Sequence, residues 1–205
     1  MHRTRVGCLA VLFYIWVSSP GLADCSTETE PNRNPSWAAP VKRIEVPNLY
    51  RVAPNFYRSA QPDQHGFAEL VRRCGLQNVI NLRAESSDAE LLKGLRVHYF
   101  YFPMHEFLIT PNYVIAIGAL QQLVRSVRGG PTLVHCEAGA NRTGFITALY
   151  RIAKQSWSKG AAVDELENGS YGFSFWLNIP FSIWWTDLDN LKQQSSEVAS
   201  ATRTK

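Results

Sequence analysis

The chain has 205 residues, 45% of them hydrophobic and 19% charged, with a formal net charge of +4. That is apolar enough for one domain with a proper core and too large to need staples. No Lys/Arg-rich block occurs, so nothing in the charge pattern points to a nucleic-acid partner.

Arg3 and Arg5 precede an uncharged run from Val6 to Val17, and Ser18-Ser19-Pro20-Gly21-Leu22-Ala23 then offers small residues. This is the layout of a secretory signal peptide over residues 1–23, cleaved after Ala23. The apolar run is short for a spanning helix, which leaves an uncleaved membrane anchor as the alternative. The expected location is therefore exported, periplasmic or secreted. Residues 24–46 read as a flexible leader, because Asp24 to Pro40 is rich in Ser, Thr, Asn and Pro without apolar periodicity. Of the four cysteines, Cys8 goes with the signal, and Cys25 could pair with Cys74 in an exported protein. The preferred reading leaves them unpaired, with Cys74 a plain core residue.

A single domain is expected over residues 47–192. Leu49-Tyr50-Arg51-Val52 and Phe56-Tyr57-Arg58-Ser59 flank Pro54-Asn55 as short strands. Gln61-Pro62 opens a helix whose Phe67, Leu70, Val71 and Cys74 share a face, closed by Gly75. Gln77 to Leu82 is a strand. Ser87 can cap a brief helix that Gly94 ends. Arg96 to Phe102 alternates as a strand buried on both sides. Thr110-Pro111 begins a helix with a Val114, Ile117, Leu120, Val124, Val127 stripe, ending at Gly129-Gly130. Ser158 caps a helix through Asn168, with Gly169 after it. Phe181, Trp184, Trp185, Leu188 and Leu191 then recur at helical spacing. A greasy lip for a lipid is one reading of them, and docking onto the core is the preferred one. Residues 193–205 are a polar, disordered tail. Strands alternating with helices indicate an α/β sandwich.

The stretch Thr132 to Gly144, T-L-V-H-C-E-A-G-A-N-R-T-G, carries the chemistry. An apolar strand ends at His135-Cys136, and a helix opens at Arg142-Thr143-Gly144. Strand, loop and helix start turn backbone N–H groups onto one point, where an anion can sit. A cysteine at the base of such a cradle is favoured as thiolate, and an arginine fork on its lip can take two oxygens of one phosphate. The chemistry this suits is attack of sulfur on a bound phosphoryl group.

His135-Cys136-Glu137-Ala138-Gly139-Ala140-Asn141-Arg142-Thr143-Gly144 resembles the H-C-x5-R-T/S-G signature of cysteine-dependent phosphatases. Within that superfamily the chain is similar to bacterial dual-specificity-type tyrosine phosphatases, with echoes at Phe56 to Pro62 and Val79 to Arg83. The resemblance implies a central mixed, mainly parallel sheet flanked by helices, dual-specificity phosphatase-like, with a phosphate-binding Cys loop and no cofactor or metal. It implies catalysis by Cys136 and Arg142. Substrate oxygens would bind Glu137, Ala138, Gly139, Ala140, Asn141 and the Arg142 amide, and Thr143 would offer its hydroxyl to the sulfur or simply cap the helix. Arg58 and Arg83 are expected to brace the loop through its carbonyls or Glu137, with an ordinary surface charge as the alternative for either, and His135 to lock it by hydrogen bonds.

One departure stands out. The family takes its general acid, an aspartic acid, from a loop roughly 30 residues before the cysteine, and Phe102-Pro103-Met104-His105-Glu106-Phe107-Leu108 holds none. Glu106 is the expected acid and His105 the alternative, unless the acid is missing or elsewhere. The loop adds no Lys or His, and Glu137 would repel extra phosphates, which favours phosphotyrosine over inositol phosphates. The expected partner is a phosphorylated protein. A phospholipid or lipid A substrate is the alternative, with membrane contact only through that substrate or an uncleaved signal. An inactive phosphate-binding module is a remote alternative. A rhodanese-type sulfurtransferase fits C-x5-R poorly.

Overall fold

The computed structural model describes residues 25–84, 87–105, 109–174, 179–187 and 189–193. The expected signal segment, Glu106, Trp176, Leu188 and nearly all of the tail lie outside the described residues. A six-stranded sheet organises the rest, in the order β1 (Ala39–Pro40), β2 (Tyr50–Ala53), β3 (Phe56–Ser59), β6 (Thr132–His135), β4 (Asn78–Arg83), β5 (His98–Met104). Strands β3, β6, β4 and β5 run parallel, and β1 and β2 join antiparallel at one edge. The sheet is thus mixed and mainly parallel, as expected. Helices α1 (Gln64–Cys74), α2 (Ile109–Gly129), α3 (Asn141–Gln155), α4 (Lys159–Asn168) and α5 (Ile179–Trp185) flank it.

Strand alternation divides the core in two. Phe56, Ile80, Leu82 and Val134 point into the layer of α2, α3, α4 and α5. Tyr57, Val79 and Leu133 point into the layer of α1. Strand β6, paired on both sides, is buried at all four residues. Its carboxyl end is therefore a fixed point in the molecule. Asp63 caps α1 by accepting from the Gly66 N–H, and Gly75 closes it with φ 63°. Ser158 caps α4 through the Ala161 N–H as the sequence predicts.

Several expectations are corrected. The flexible leader is not one from Cys25 onward: Ala38, Val41, Ile44 and Val46 are buried, and β1 extends the sheet. Arg33 holds this segment from within, donating to the Ala38 and Gly169 carbonyls and the Tyr171 hydroxyl. Cys25 and Cys74 form a disulfide, so Cys74 is both a core residue and a bridge. Residues 89–94 turn without forming a helix: Asp88 is drawn into the interior, and Ser87 Oγ accepts from Ala89 N and from the Tyr99 hydroxyl. Strand β5 is an edge strand with Tyr101 exposed, rather than one buried on both sides.

In α2 the buried face is Ala116, Ala119, Leu120, Leu123 and Val124. Val114 lies about 200° around the helix from Ala116 and is 78% exposed. Of the expected stripe, Leu120 and Val124 are buried and Ile117 and Val127 pack against the core, so only Val114 falls off the face. Among the described residues the last stripe holds only at Leu191, which is buried in the core. Helix α5 docks through Ile179 and Ile183, leaving Phe181, Trp184 and Trp185 at 61%, 55% and 76% exposure.

The disulfide closes a 49-residue separation, so a Cys25→Ser, Cys74→Ser double variant should lose about 3–4 kcal/mol of stability. Urea denaturation of oxidised wild type against the variant measures this. A difference under about 1 kcal/mol would mean that the bridge hardly constrains the unfolded chain.

Candidate active site

Strand β6 delivers His135 and Cys136 to the carboxyl edge of the sheet, and both are buried. The chain then turns through Glu137 to Ala140 into α3. Ala140, at the N-cap, offers no side-chain acceptor to the first turn. The amides there are left for another acceptor, as an anion-binding helix start requires.

Three consecutive carbonyls of the loop are held from outside. Gln61 N donates to Glu137 O at 3.0 Å, Asn48 Nδ2 to Ala138 O at 2.9 Å, and an Arg58 guanidinium nitrogen to Gly139 O at 2.7 Å. A peptide whose carbonyl points outward presents its N–H to the opposite side. Three in a row therefore make a concave nest of donors. Gly139 is required by this path. Its φ is 69°, and a Cβ there would collide with the backbone of Ser59 and Ala60. At Gly144 a Cβ would strike Leu166, so that glycine sets how closely α3 and α4 approach.

The loop's ends are joined by a polar circuit around the cysteine. His135 Nε2 lies 2.8 Å from Asp88 Oδ2, with both side chains fully buried. Asp88 Oδ1 accepts from Gln61 Nε2, Gln61 Oε1 accepts from Arg83, and Arg83 pairs with Glu137 at 2.6 Å. Residues 135 and 137 are thereby tied together on either side of Cys136. The expected bracing by Arg58 and Arg83 and the locking by His135 are all present. Asp88 was missed: in S-S-D-A-E it reads as a solvated turn residue, and only the fold buries it.

Arg142, in the first turn of α3, is nearly buried and donates to the Met104 carbonyl at 3.2 Å. Its Nε has no partner among the described residues. Met104 ends β5, so His105 follows directly on the residue that holds Arg142. His105 is exposed there, and Glu106 lies outside the described residues. Thr143 is the third residue of α3 and its buried hydroxyl has no partner among the described residues, so it does not cap the helix. Asn141 accepts from Ser174 N and ties the loop to the segment beyond α4. Ala138 and Glu137 face solvent, while Gly139, Ala140 and Asn141 are buried.

Tyr171 stands behind the loop. Its ring covers Arg58, with Cζ 3.6 Å from the centroid, and its carbonyl shares Asn48 Nδ2 with Ala138. Its hydroxyl bonds Arg33 and Glu165, and burial raises its pKa. Glu165 also takes Arg151 in a two-point ion pair. Among the described residues no group of three or more His, Cys, Asp or Glu is placed to hold a metal.

The sequence model of the tyrosine phosphatase family matches residues 44–171. Dual specificity protein phosphatase TpbA of Pseudomonas aeruginosa is 36% identical over 177 residues, spanning 84% of this chain and 77% of the relative. A crystal structure of a cysteine-to-serine variant of TpbA in complex with pTyr superposes with a TM-score of 0.68. Its identity is 32%, over 80% of this chain and 98% of that one. The catalytic core of the PP-IP phosphatase Siw14 from Saccharomyces cerevisiae shares the fold, with a TM-score of 0.62 at 24% identity. That match covers 75% of this chain and 94% of the other.

Gly139→Ala should spoil the nest more than the fold. We expect vanadate affinity and kcat/KM to drop by about 10²-fold or more, with a melting temperature within several degrees of wild type. Unchanged vanadate binding would show that the loop tolerates a Cβ and that the nest is not set by this residue.

Proposed function

The chain belongs to the tyrosine phosphatase family, and from that premise we propose that it is an exported protein phosphatase of dual-specificity type acting chiefly on phosphotyrosine. The observation that carries this reading is the nest: three outward-held carbonyls beside a free, buried Cys136 and an Arg142 anchored on β5.

Two displacements follow. The Cys136 thiolate attacks phosphorus and forms a sulfur–phosphorus bond as the ester P–O bond breaks, and Glu106 gives its proton to the leaving phenolic oxygen. Amides of residues 137–142 and the Arg142 guanidinium hold the equatorial oxygens through a loose transition state. Water, giving its proton back to Glu106, then attacks phosphorus, releases phosphate and returns the sulfur as thiolate. The buried Thr143 hydroxyl, having no partner among the described residues, is available to donate to that departing sulfur.

Substrate choice rests on charge. Glu137 is mostly exposed and paired with Arg83, so a second phosphate near the lip meets a carboxylate whose neighbouring cation is already engaged. TpbA has been crystallised with pTyr, which supports the same ligand here. The exposed Phe181, Trp184 and Trp185 would favour a phospholipid if they lined the site. Lys159, however, holds the Trp184 and Thr186 carbonyls at the start of α4, about 20 Å along α3 from the loop. The Cys25–Cys74 bridge, together with the signal-like first 23 residues, supports export to an oxidising compartment.

Turnover of an aryl phosphate, a phosphotyrosine peptide, phosphoserine and a phospholipid by wild type and two variants tests these assignments. Cys136→Ser should lose at least about 10⁴-fold in kcat and still bind phosphotyrosine peptide. Glu106→Gln should reduce kcat on alkyl esters by about 10²-fold and much less on activated aryl esters. Equal losses on both would remove Glu106 from the acid role, and preferred phospholipid turnover would replace the substrate class.

A further inference from the structure

Two of the three donors that hold the loop's carbonyls outward converge on one residue outside the loop. Arg58 bonds the Gly139 carbonyl at 2.7 Å while the Tyr171 ring covers its guanidinium, with Cζ 3.6 Å from the ring centroid. Asn48 Nδ2 divides its protons between the Ala138 and Tyr171 carbonyls, each at 2.9 Å. Tyr171 thus meets one donor with its side chain and the other with its backbone. The third donor, Gln61 N, is main chain and needs no such guide.

Neither side chain is fixed by its bond to the loop alone. Arg58 is fully buried and makes one hydrogen bond, and its Nε finds no partner among the described residues. A single bond lets a planar fork turn about it, and a ring lying against the fork stops that rotation. Asn48 is half-buried, in a turn where its φ is 57°. Both of its partners are acceptors, so the second bond decides which way the amide faces.

Tyr171 is itself held from several sides. It is buried, its hydroxyl accepts from Arg33 at 2.6 Å and donates to Glu165 at 3.1 Å, and Tyr50 packs edge-on at 4.8 Å. Its chain neighbours Ser170 and Gly172 both have positive φ, 61° and 76°. A left-handed serine is a local strain that the surrounding contacts must outweigh, and here it stands directly beside this ring.

We propose that Tyr171 is a positioning residue of the phosphate nest: its ring aims Arg58, its carbonyl aims Asn48, and through them it sets the peptides 138–139 and 139–140, whose N–H groups face the anion. The assignment rests on the phosphatase reading above.

Two variants separate this role from packing. Tyr171→Phe and Tyr171→Leu both remove the hydroxyl and its bonds to Arg33 and Glu165, but only the first keeps a ring over Arg58. Vanadate binding by calorimetry is measured beside the melting temperature and kcat/KM on an aryl phosphate. A partly unfolded sample lowers the binding stoichiometry, whereas a misdirected nest lowers the affinity. Both variants should melt below wild type. Tyr171→Phe should keep vanadate affinity and kcat/KM within about threefold of wild type, and Tyr171→Leu should lose about 10-fold or more in each. Equal losses in the two variants, or none in either, would reduce Tyr171 to a packing residue and overturn the proposal.

Asn48→Gly serves if Tyr171→Leu does not fold. It accepts the left-handed backbone and removes the amide that joins the Tyr171 carbonyl to the loop. Vanadate affinity should fall about 10-fold with the melting temperature within several degrees of wild type, and unchanged affinity overturns the proposal. Aryl phosphate turnover by wild type is scored separately. If wild type binds vanadate without turnover, and Tyr171→Leu still binds it more weakly than Tyr171→Phe, the functional reading fails and the positioning role stands. If wild type binds no vanadate, both fail.

Discussion

Everything at the site depends on the direction of three carbonyl groups. Left to itself, a loop of Glu-Ala-Gly-Ala after a strand would hydrogen-bond its carbonyls to water in no fixed orientation. Here Gln61, Asn48 and Arg58 take them one by one from outside. An anion site made of main-chain amides has no charge to move and nothing to reorganise when charge develops, which is why such sites favour transition states. The cost is that each outward carbonyl needs a donor fixed in place. The three donors come from β3, the turn that follows it and the turn that leads into β2. Strand β3 pairs directly with β6, so donors and loop share one rigid ladder.

The rigidity is built in layers. Strand β6 is paired on both flanks and buried throughout. Behind the loop, Tyr171 receives Arg33 from the N-terminal segment and bonds Glu165, which Arg151 holds. The N-terminal segment is in turn bridged to α1 through Cys25 and Cys74. A stretch with poor apolar periodicity thus becomes a strap whose Arg33 touches the ring that covers Arg58. Half-satisfied buried networks are worse than an apolar core. This one is well supplied: Glu165 accepts from Ala38 N, Arg151 and the Tyr171 hydroxyl.

The cysteine loop was legible in the sequence because its chemistry is local: strand, cysteine, glycine, arginine and helix start lie within thirteen residues. The caps at Ser158 and Gly75 were legible for the same reason. What escaped was decided by burial between distant segments. Asp88 looks like a turn residue until β6 brings His135 to it. Tyr171 looks like the end of a helix until its ring meets Arg58, 113 positions earlier in the numbering. The α2 stripe was legible at Ile117, Leu120, Val124 and Val127 and failed at Val114, while the buried alanines at 116 and 119 went unread because they carry little hydrophobic signal. The aromatic residues of α5 misled in the opposite direction, since their spacing suggested docking that Ile179 and Ile183 perform instead. Apolar periodicity reports that a face exists, and residue size decides which face fits.

The three arginines near the loop sit in three different dielectrics, and that difference assigns their work. Arg83, partly exposed and paired with a mostly exposed Glu137, is screened by solvent and fixes geometry more than energy. Arg142 is nearly buried but opens toward the substrate side, where its planar fork can exchange the Met104 carbonyl for phosphoryl oxygens. Arg58 never meets solvent, so its field is the least screened of the three. A cation meant for an arriving anion must be reachable, and one that holds the loop's own backbone can be sealed. Arg58 is the sealed one: from the strand adjacent to the nucleophile's own it holds the Gly139 carbonyl and so turns the amide that follows toward the anion's place.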